Sequence, residues 1–211
     1  MIKASAQTRT DRGTAQGGDT QERIIEAALD TLKTRGFSGA TARAIARRGG
    51  FNQALIFYHF GSLNALLLRA LDATSRQRMD AYSALLDESS SVQDLIAAAI
   101  RIYQEDLDSG HITVLSEIIA GSLSHPELGP EVVGRMEPWI DFAERAITKV
   151  TAGSPWSQLL PARELAFAVV AFYLGIEMLN HLEGNRERAE PLFQMATGLA
   201  PLVDSMLGGS R

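Results

Sequence analysis

Residues 36–67 read GFSGATARAIARRGGFNQALIFYHFGSLNALL, and the fold turns on how this stretch divides. Gly36 ends a preceding helix, because a residue without Cβ takes the left-handed conformation that closes one. Thr41 is an N-cap candidate for a short helix that turns Ile45 and Ala46 inward and carries Arg43, Arg47 and Arg48. The pair Gly49 and Gly50 makes the turn that follows. Asn52 caps a third helix running to about Tyr58, with Leu55, Ile56 and Phe60 facing the core and Asn52 and Gln53 at its exposed front. Ser62 caps a fourth, which carries Leu66, Leu67, Ala70 and Leu71 and continues to about Leu86.

Two short helices joined by a tight turn, with a polar tip on the second, have the layout of a helix-turn-helix. That motif sets the front of its second helix against base edges in the major groove of DNA. Asn and Gln side chains can bond adenine bidentately there, so Gln53 is the first candidate base reader, with Asn52 beside it. Thr41 and Ser62, each at a helix start, offer a hydroxyl and backbone amides to phosphates. Arg43 and Arg47 supply the salt-sensitive part of the affinity, which does not depend on sequence. The competing reading is an ordinary three-helix hairpin with solvated arginines and core aromatics, and packing alone would send Phe57 and Phe60 to the core. Helix lengths, turn glycines, caps and polar tip agree at once, which favours the DNA reader.

Upstream, residues 1–18 are rich in Gly, Ala, Ser, Thr and Gln, carry Lys3, Arg9 and Arg12, and lack apolar periodicity, so a flexible basic arm is expected. Asp19, with Glu22 three residues on, resembles a capping box that opens a helix with Ile25, Ala28, Leu29 and Leu32 on one face. Downstream, helical spacing predicts elements at about 92–107, 111–123, 131–151, 162–182 and 188–207, with residues 153–161 as a loop and Pro201 bending the last helix. No alternating apolar run with turn signals is present, so no sheet is expected.

Charge divides unevenly along the chain. The 211 residues carry a net −5, but residues 1–61 hold nine Lys/Arg against five Asp/Glu, a net +4, and residues 62–211 hold eleven against twenty, a net −9. A basic head on an acidic body is the asymmetry expected when one end approaches phosphate. The absence of cysteine removes disulfides and thiolate metal sites and fits a reducing cytoplasm. Residues 1–23 lack the apolar core of a signal peptide. The apolar run from Leu165 to Ile176 is shorter than the roughly 20 residues that span a bilayer, so it reads as a buried helix.

Residues 36–67 resemble the DNA-binding segment of the TetR family. The shared features are Gly36 and Phe37, Thr41, Ile45 and Ala46, Gly50 and Phe51, the run Phe57, Tyr58, His59, Phe60, and Leu66, and the detailed match covers about residues 20–68. The resemblance implies that Thr41, Arg43, Gln53, Phe57, His59 and Ser62 occupy positions that touch DNA. Three residues depart from the pattern: Phe57 stands where a tyrosine often bonds phosphate, Leu63 where a lysine often does, and Ala54 where glycine is frequent. Two backbone clamps are therefore missing, and either Lys3, Arg9, Arg12 and the second-helix arginines compensate or binding is weaker and more salt-sensitive.

The body carries more aromatic and Met residues than a scaffold needs: Tyr103, Met136, Trp139, Phe142, Phe167, Phe172, Tyr173 and Met178. Aromatics at helical spacing usually fill a core, but apolar pockets between bundle helices are also ligand sites. Tyr103, Met136, Trp139 and Tyr173 are the candidate contacts for a small apolar or aromatic effector, Tyr and Trp having polar handles that a core must otherwise satisfy. The resemblance implies that such a ligand swings the two DNA heads apart through the fourth helix, which requires different affinities for the two states. The apolar helix at 162–182 needs cover on several faces, and Ala168, Ala171 and Gly175 allow close approach. The family pattern answers with a homodimer through the last two helices of each subunit, its heads reading a near-palindrome in major grooves about 34–36 Å apart.

The expected fold is therefore all-α with about nine helices: an arm at residues 1–18, a three-helix helix-turn-helix DNA-binding domain at 19–61, and a helical ligand-binding and dimerisation domain at 62–211. The expected function is a cytoplasmic, ligand-responsive transcriptional repressor on double-stranded palindromic DNA, without catalytic residues, metal, cofactor or membrane. An enzyme on the same scaffold finds no GxSxG elbow, P-loop, GxGxxG or HExxH, and His59, His111, His125 and His181 are scattered. Glu117 and Glu177 lie on apolar faces as ligand partners or buried acids. A helical adaptor that no longer binds DNA is the other alternative, and Phe57 and Leu63 speak for it.

Overall fold

The computed structural model describes residues 7–183 and 189–208. Its helices are α1 (Gln7–Gly39), α2 (Ala42–Gly49), α3 (Ala54–Phe60), α4 (Leu63–Glu88), α5 (Val92–Ser109) and α6 (His111–Ser124). A 3-10 turn at Pro126–Leu128 leads into α7 (Gly129–Gly134), α8 (Glu137–Thr151), α9 (Trp156–Leu159), α10 (Ala162–Glu183) and α11 (Ala189–Gly208). No strand occurs among the described residues.

One core joins the first four helices to the body. Ile24, Ala28 and Leu32 of α1 meet Ile45 of α2, Ile56 of α3 and Leu66 and Leu71 of α4, all fully buried. Val114, Leu115 and Ile118 of α6 and Val132 of α7 close the same cluster from the body side. Each large aliphatic side chain so buried stabilises the fold by about 1.5–3 kcal/mol before entropy is counted. The short α2–α3 unit is thus held by α1 and α4, which α6 braces from the body side.

The join between α1 and α6 is built around a break in α1. Gly36 has φ 68° and ψ −179°, a conformation essentially confined to glycine, so the amide of Phe37 cannot stay in the helical ladder. It donates instead to Oε2 of Glu117 on α6, at 2.7 Å. The Phe37 ring then lies on Gly121, where a Cβ would come within 2.4 Å of it, and its centroid is 5.5 Å from that of His125. Glu117, expected to be a ligand partner or a buried acid, is therefore a tie between the α1 break and the body.

Four expectations are corrected. Helix α1 starts at Gln7, so residues 7–18 are helix rather than arm and Asp19 lies inside it instead of capping it; once the apolar face from Ile24 on is anchored, adding a residue at the front costs little. The arm reading of residues 1–6 lies outside the described residues. The expected helix at 131–151 is two, α7 and α8, because Pro138 has no amide to continue the ladder and instead occupies the first turn of α8. The expected loop at 153–161 contains α9.

The fourth concerns α10, expected to be buried. Only Ala166, Glu177 and Asn180 are buried on it, while Phe167, Val169, Phe172, Leu179 and Leu182 are exposed. Helix α10 packs chiefly on α8, which leaves its outer side uncovered. On α11 Met195, Leu199, Leu202 and Met206 are likewise exposed. Helix α10 is the one helix among the described residues long and apolar enough, by composition, to cross a membrane.

Helix α11 also anchors α5. Asp204 accepts the amides of Val92 (2.7 Å) and Gln93 (3.1 Å) at the start of α5, and Asp94 accepts those of Ser90 and Ser91. Hydrogen bonds from Ser90 and Ser91 hold the Asp94 carboxyl below the usual range. Asp204→Ala leaves two orphan amides at the front of α5 and is expected to cost about 0.5–2 kcal/mol in urea unfolding; an unchanged midpoint would show water to be an equal cap.

Candidate nucleic-acid interface

The α2–α3 unit is held by local caps. Thr41 Oγ1 accepts the Ala44 amide at 3.2 Å and Ser62 Oγ accepts the Ala65 amide at 3.0 Å, so both hydroxyls start helices and keep their proton for an outside acceptor. Gly50, at φ 67°, closes α2 by donating to Ala46 O. At Gly49 a Cβ would lie 2.2 Å from the Phe51 ring and 2.9 Å from Ala27, so the turn needs glycine there for space.

At the front of α3, Asn52 and Gln53 are both exposed. Asn52 Oδ1 accepts the Ala54 amide at 2.9 Å, which makes Asn52 the cap, whereas the Gln53 side chain makes no capping bond. Along α3, Ile56 is fully buried and Ala54, Phe57 and Tyr58 face outward. Phe57, assigned to the core by packing, is 49% exposed, because the 3.6-residue repeat that buries Ile56 turns its neighbour out. Phe60 is partly buried against the core. Tyr58, 81% exposed, was not singled out from sequence, although it shares the Ala54 face at i+4 spacing. His59 is half-buried, its ring 4.9 Å from Tyr58 and 6.4 Å from Phe60. Arg43 and Arg47 are exposed, and with Ala46, Phe51 and Gln53 they line one groove. Leu63 packs against the core.

In the body, three of the four candidate effector contacts lie near one buried carboxylate. Asp106 of α5 is 2% exposed and pairs with Arg78 of α4. It also accepts the hydroxyls of Tyr82 and Tyr173, each at 2.6 Å. Burial and the Asp106 carboxylate raise the Tyr82 and Tyr173 phenols far above their ordinary value. The Tyr103 ring stands edge-on to Tyr173 at 6.4 Å, and its hydroxyl accepts from Asn180 at 2.7 Å. Trp139 lies between Tyr82 (6.1 Å) and His111 (6.3 Å). Met136, at the α7–α8 break, packs on the core shared with the first four helices. Asp106 was not found from sequence, yet it shares a face with Ala99 and Tyr103, an acid on an apolar stripe.

His111, 4% exposed, has Nδ1 2.9 Å from Thr74 Oγ1, and Thr74 donates to Leu71 O. Burial, then the Arg78 and Lys33 charges, push its pKa from 6.5 down to about 3. The folded protein thus resists a proton that the unfolded chain accepts near pH 6.5. This contribution to stability is complete above that pH and falls as the pH drops toward 3, by about 2 kcal/mol at pH 5. His111→Gln is expected to remove that part of the decline in urea titrations at about pH 7.5 and 5; an identical decline would place it on other groups.

Residues 24–70 match the family described as bacterial regulatory proteins, tetR family. The chain is 28% identical over 123 residues to the uncharacterized HTH-type transcriptional regulator YdeS of Bacillus subtilis, covering 58% of this chain and 60% of that protein. It is 33% identical over 112 residues to the HTH-type transcriptional regulator SrpR of Pseudomonas putida, covering 46% and 53%. The match thus spans little more than half the length of these two relatives. Among solved structures, the fatty acid degradation regulator FadR from Bacillus halodurans superposes with a TM-score of 0.66 at 16% identity, covering 90% of this chain and 99% of that one. A TetR-family regulator from Cytophaga hutchinsonii does so with a TM-score of 0.69 at 13% identity, covering 92% and 96%. At these identities the likeness is one of fold.

Proposed function

The chain belongs to the TetR family of bacterial regulatory proteins, and from that premise we propose that it is a ligand-responsive repressor which reads a palindromic operator as a homodimer. The observation that carries the reading is the exposed Gln53 at the front of α3, its side chain uncommitted to the cap that Asn52 supplies. In this proposal residues 19–61 are the reading unit and residues 62–211 the body. Gln53 reads a base, Phe57 and His59 face the groove wall, and Thr41, Arg43, Arg47, Asn52 and Ser62 hold the backbone, with the Tyr58 phenol standing in for the hydroxyl that Phe57 lacks. The exposed apolar residues of α10 and of α11 support pairing with a second copy, because large apolar side chains left open in this number mark an interface. Tyr103, Trp139 and Tyr173 around Asp106, with Met136 beyond, are the proposed effector contacts, for an apolar or aromatic molecule. The cytoplasm is the compartment this reading implies.

Fluorescence anisotropy on duplexes selected from a random-sequence pool tests it. Gln53→Ala is expected to relax preference at one base pair by about 1–3 kcal/mol, and Arg43→Ala to weaken all sequences alike. A uniform loss from Gln53→Ala would show the base reader to be misassigned. No salt-dependent, saturable binding to any selected duplex would favour a helical adaptor, which Phe57 and Leu63 also suit.

A further inference from the structure

We propose that the groove between α1 and α2, lined by Arg35, Arg47 and Arg48, is a second surface for the DNA backbone, separate from the base-reading tip of α3. It rests on the DNA-binding reading above and adds to it where the phosphate contacts lie. The groove has a volume of about 530 Å³ and includes Thr31, Thr34 and Ala44 in its walls. Both threonine hydroxyls donate to α1 carbonyls, of Ala27 and Asp30 at 2.6 and 2.7 Å, so the guanidinium groups are the donors on offer. Arg47 also lines the neighbouring groove with Arg43 and Gln53, so a continuous basic lane leads from the tip of α3 back onto α1.

Charge fits this partner. Between Asp30 and Asp72 the chain contains no Asp or Glu, while it carries Lys33, Arg35, Arg43, Arg47, Arg48 and Arg69. Asp30 pairs with Arg48 at the edge of this groove; the side chains are 38% and 62% exposed although the pairing Oδ2 is itself shielded from solvent, so phosphate competes with Asp30 for Arg48 while Arg35 and Arg47 complete the set. Guanidinium groups match phosphate oxygens bidentately. The opposite edge of the unit, at the α3–α4 corner, is built the other way. Phe57 has no hydroxyl, Leu63 is packed against the core, and Asn64 Nδ2 donates to the carboxylate of Glu127 at 3.3 Å. The α3–α4 corner is thereby left with Ser62 and Tyr58 for phosphate, and the α1–α2 groove adds guanidinium contacts to these.

The test compares wild type with the Arg35→Gln, Arg48→Gln double variant on a selected duplex, measuring affinity from low to high salt. Each lost phosphate contact lowers the salt slope by about 0.9, so the variant slope is expected to be shallower by about one to two per protomer, with the preferred sequence unchanged. A methylphosphonate scan of the same duplex should place the lost contacts at phosphates other than those lost in Arg43→Ala, and Arg35→Lys, Arg48→Lys should restore most of the slope. An unchanged slope, a changed base preference, or lost contacts coinciding with those of Arg43 would overturn the groove assignment while leaving the DNA reading intact. Failure of the wild type to enrich any duplex would overturn the reading, and the groove with it.

Discussion

Asp106→Ala is expected to destabilise the protein by about 3–5 kcal/mol, read as the shift of the urea midpoint at fixed protein concentration. The carboxylate is 2% exposed, and the Arg78 side chain that pairs with it is 12% exposed. Removing the acid strands a guanidinium in the interior and takes the acceptor from the hydroxyls of Tyr82 and Tyr173 at once. Most of the loss comes from the stranded cation rather than from the attraction itself, so Arg78→Met added to Asp106→Ala should recover a large part of it. Asp106→Asn keeps an acceptor for the phenols and should fall between wild type and Ala. A loss below about 1 kcal/mol in Asp106→Ala would mean that water reaches Arg78 and that the pair is no part of the interior.

Gly36→Ala should be strongly disruptive. At φ 68° and ψ −179° an L-residue is strained by about 1–3 kcal/mol. The added Cβ would also lie 2.7 Å from Glu117 Oε2, the atom that accepts the Phe37 amide. Strain and lost bond together predict a stability loss of about 2–4 kcal/mol. Glu117→Ala removes the acceptor without the strain and is the control. It should cost about 1–3 kcal/mol, and Gly36→Ala on that background should then cost only the strain. If Gly36→Ala is neutral, the α1 break is not held at this position.

The head was legible in the sequence because its signals are local. Thr41, Gly50, Asn52 and Ser62 each do to their own neighbours what their residue type predicts, within two to four positions along the chain. The residues or roles that were missed, Glu117 having been noted without its partner, act across long separations. Asp106 meets Tyr173 from 67 positions away, Glu117 meets Phe37 from 80, and Asp204 reaches Val92 from 112. Periodicity says that an acid sits on an apolar face; it does not say which amide or phenol the fold will bring there. Pro138 was legible and went unused: it removes a ladder amide and favours the first turn of a new helix, although Pro201 shows that a proline can also sit inside a continuous one. Phe57 shows the opposite error: its aromatic character spoke for the core, while its place next to Ile56 on a short helix turned it outward.

The acid-free stretch between Asp30 and Asp72, set against a body that holds the negative excess, gives the molecule an electric dipole along its length. A polyanion approaching it exerts a torque as well as a pull, turning the arginine-bearing end forward and repelling the other before any contact forms. Landing is then oriented on the first encounter, and the arrival rate should fall steeply with ionic strength, even though a net charge of −5 alone would predict that added salt helps.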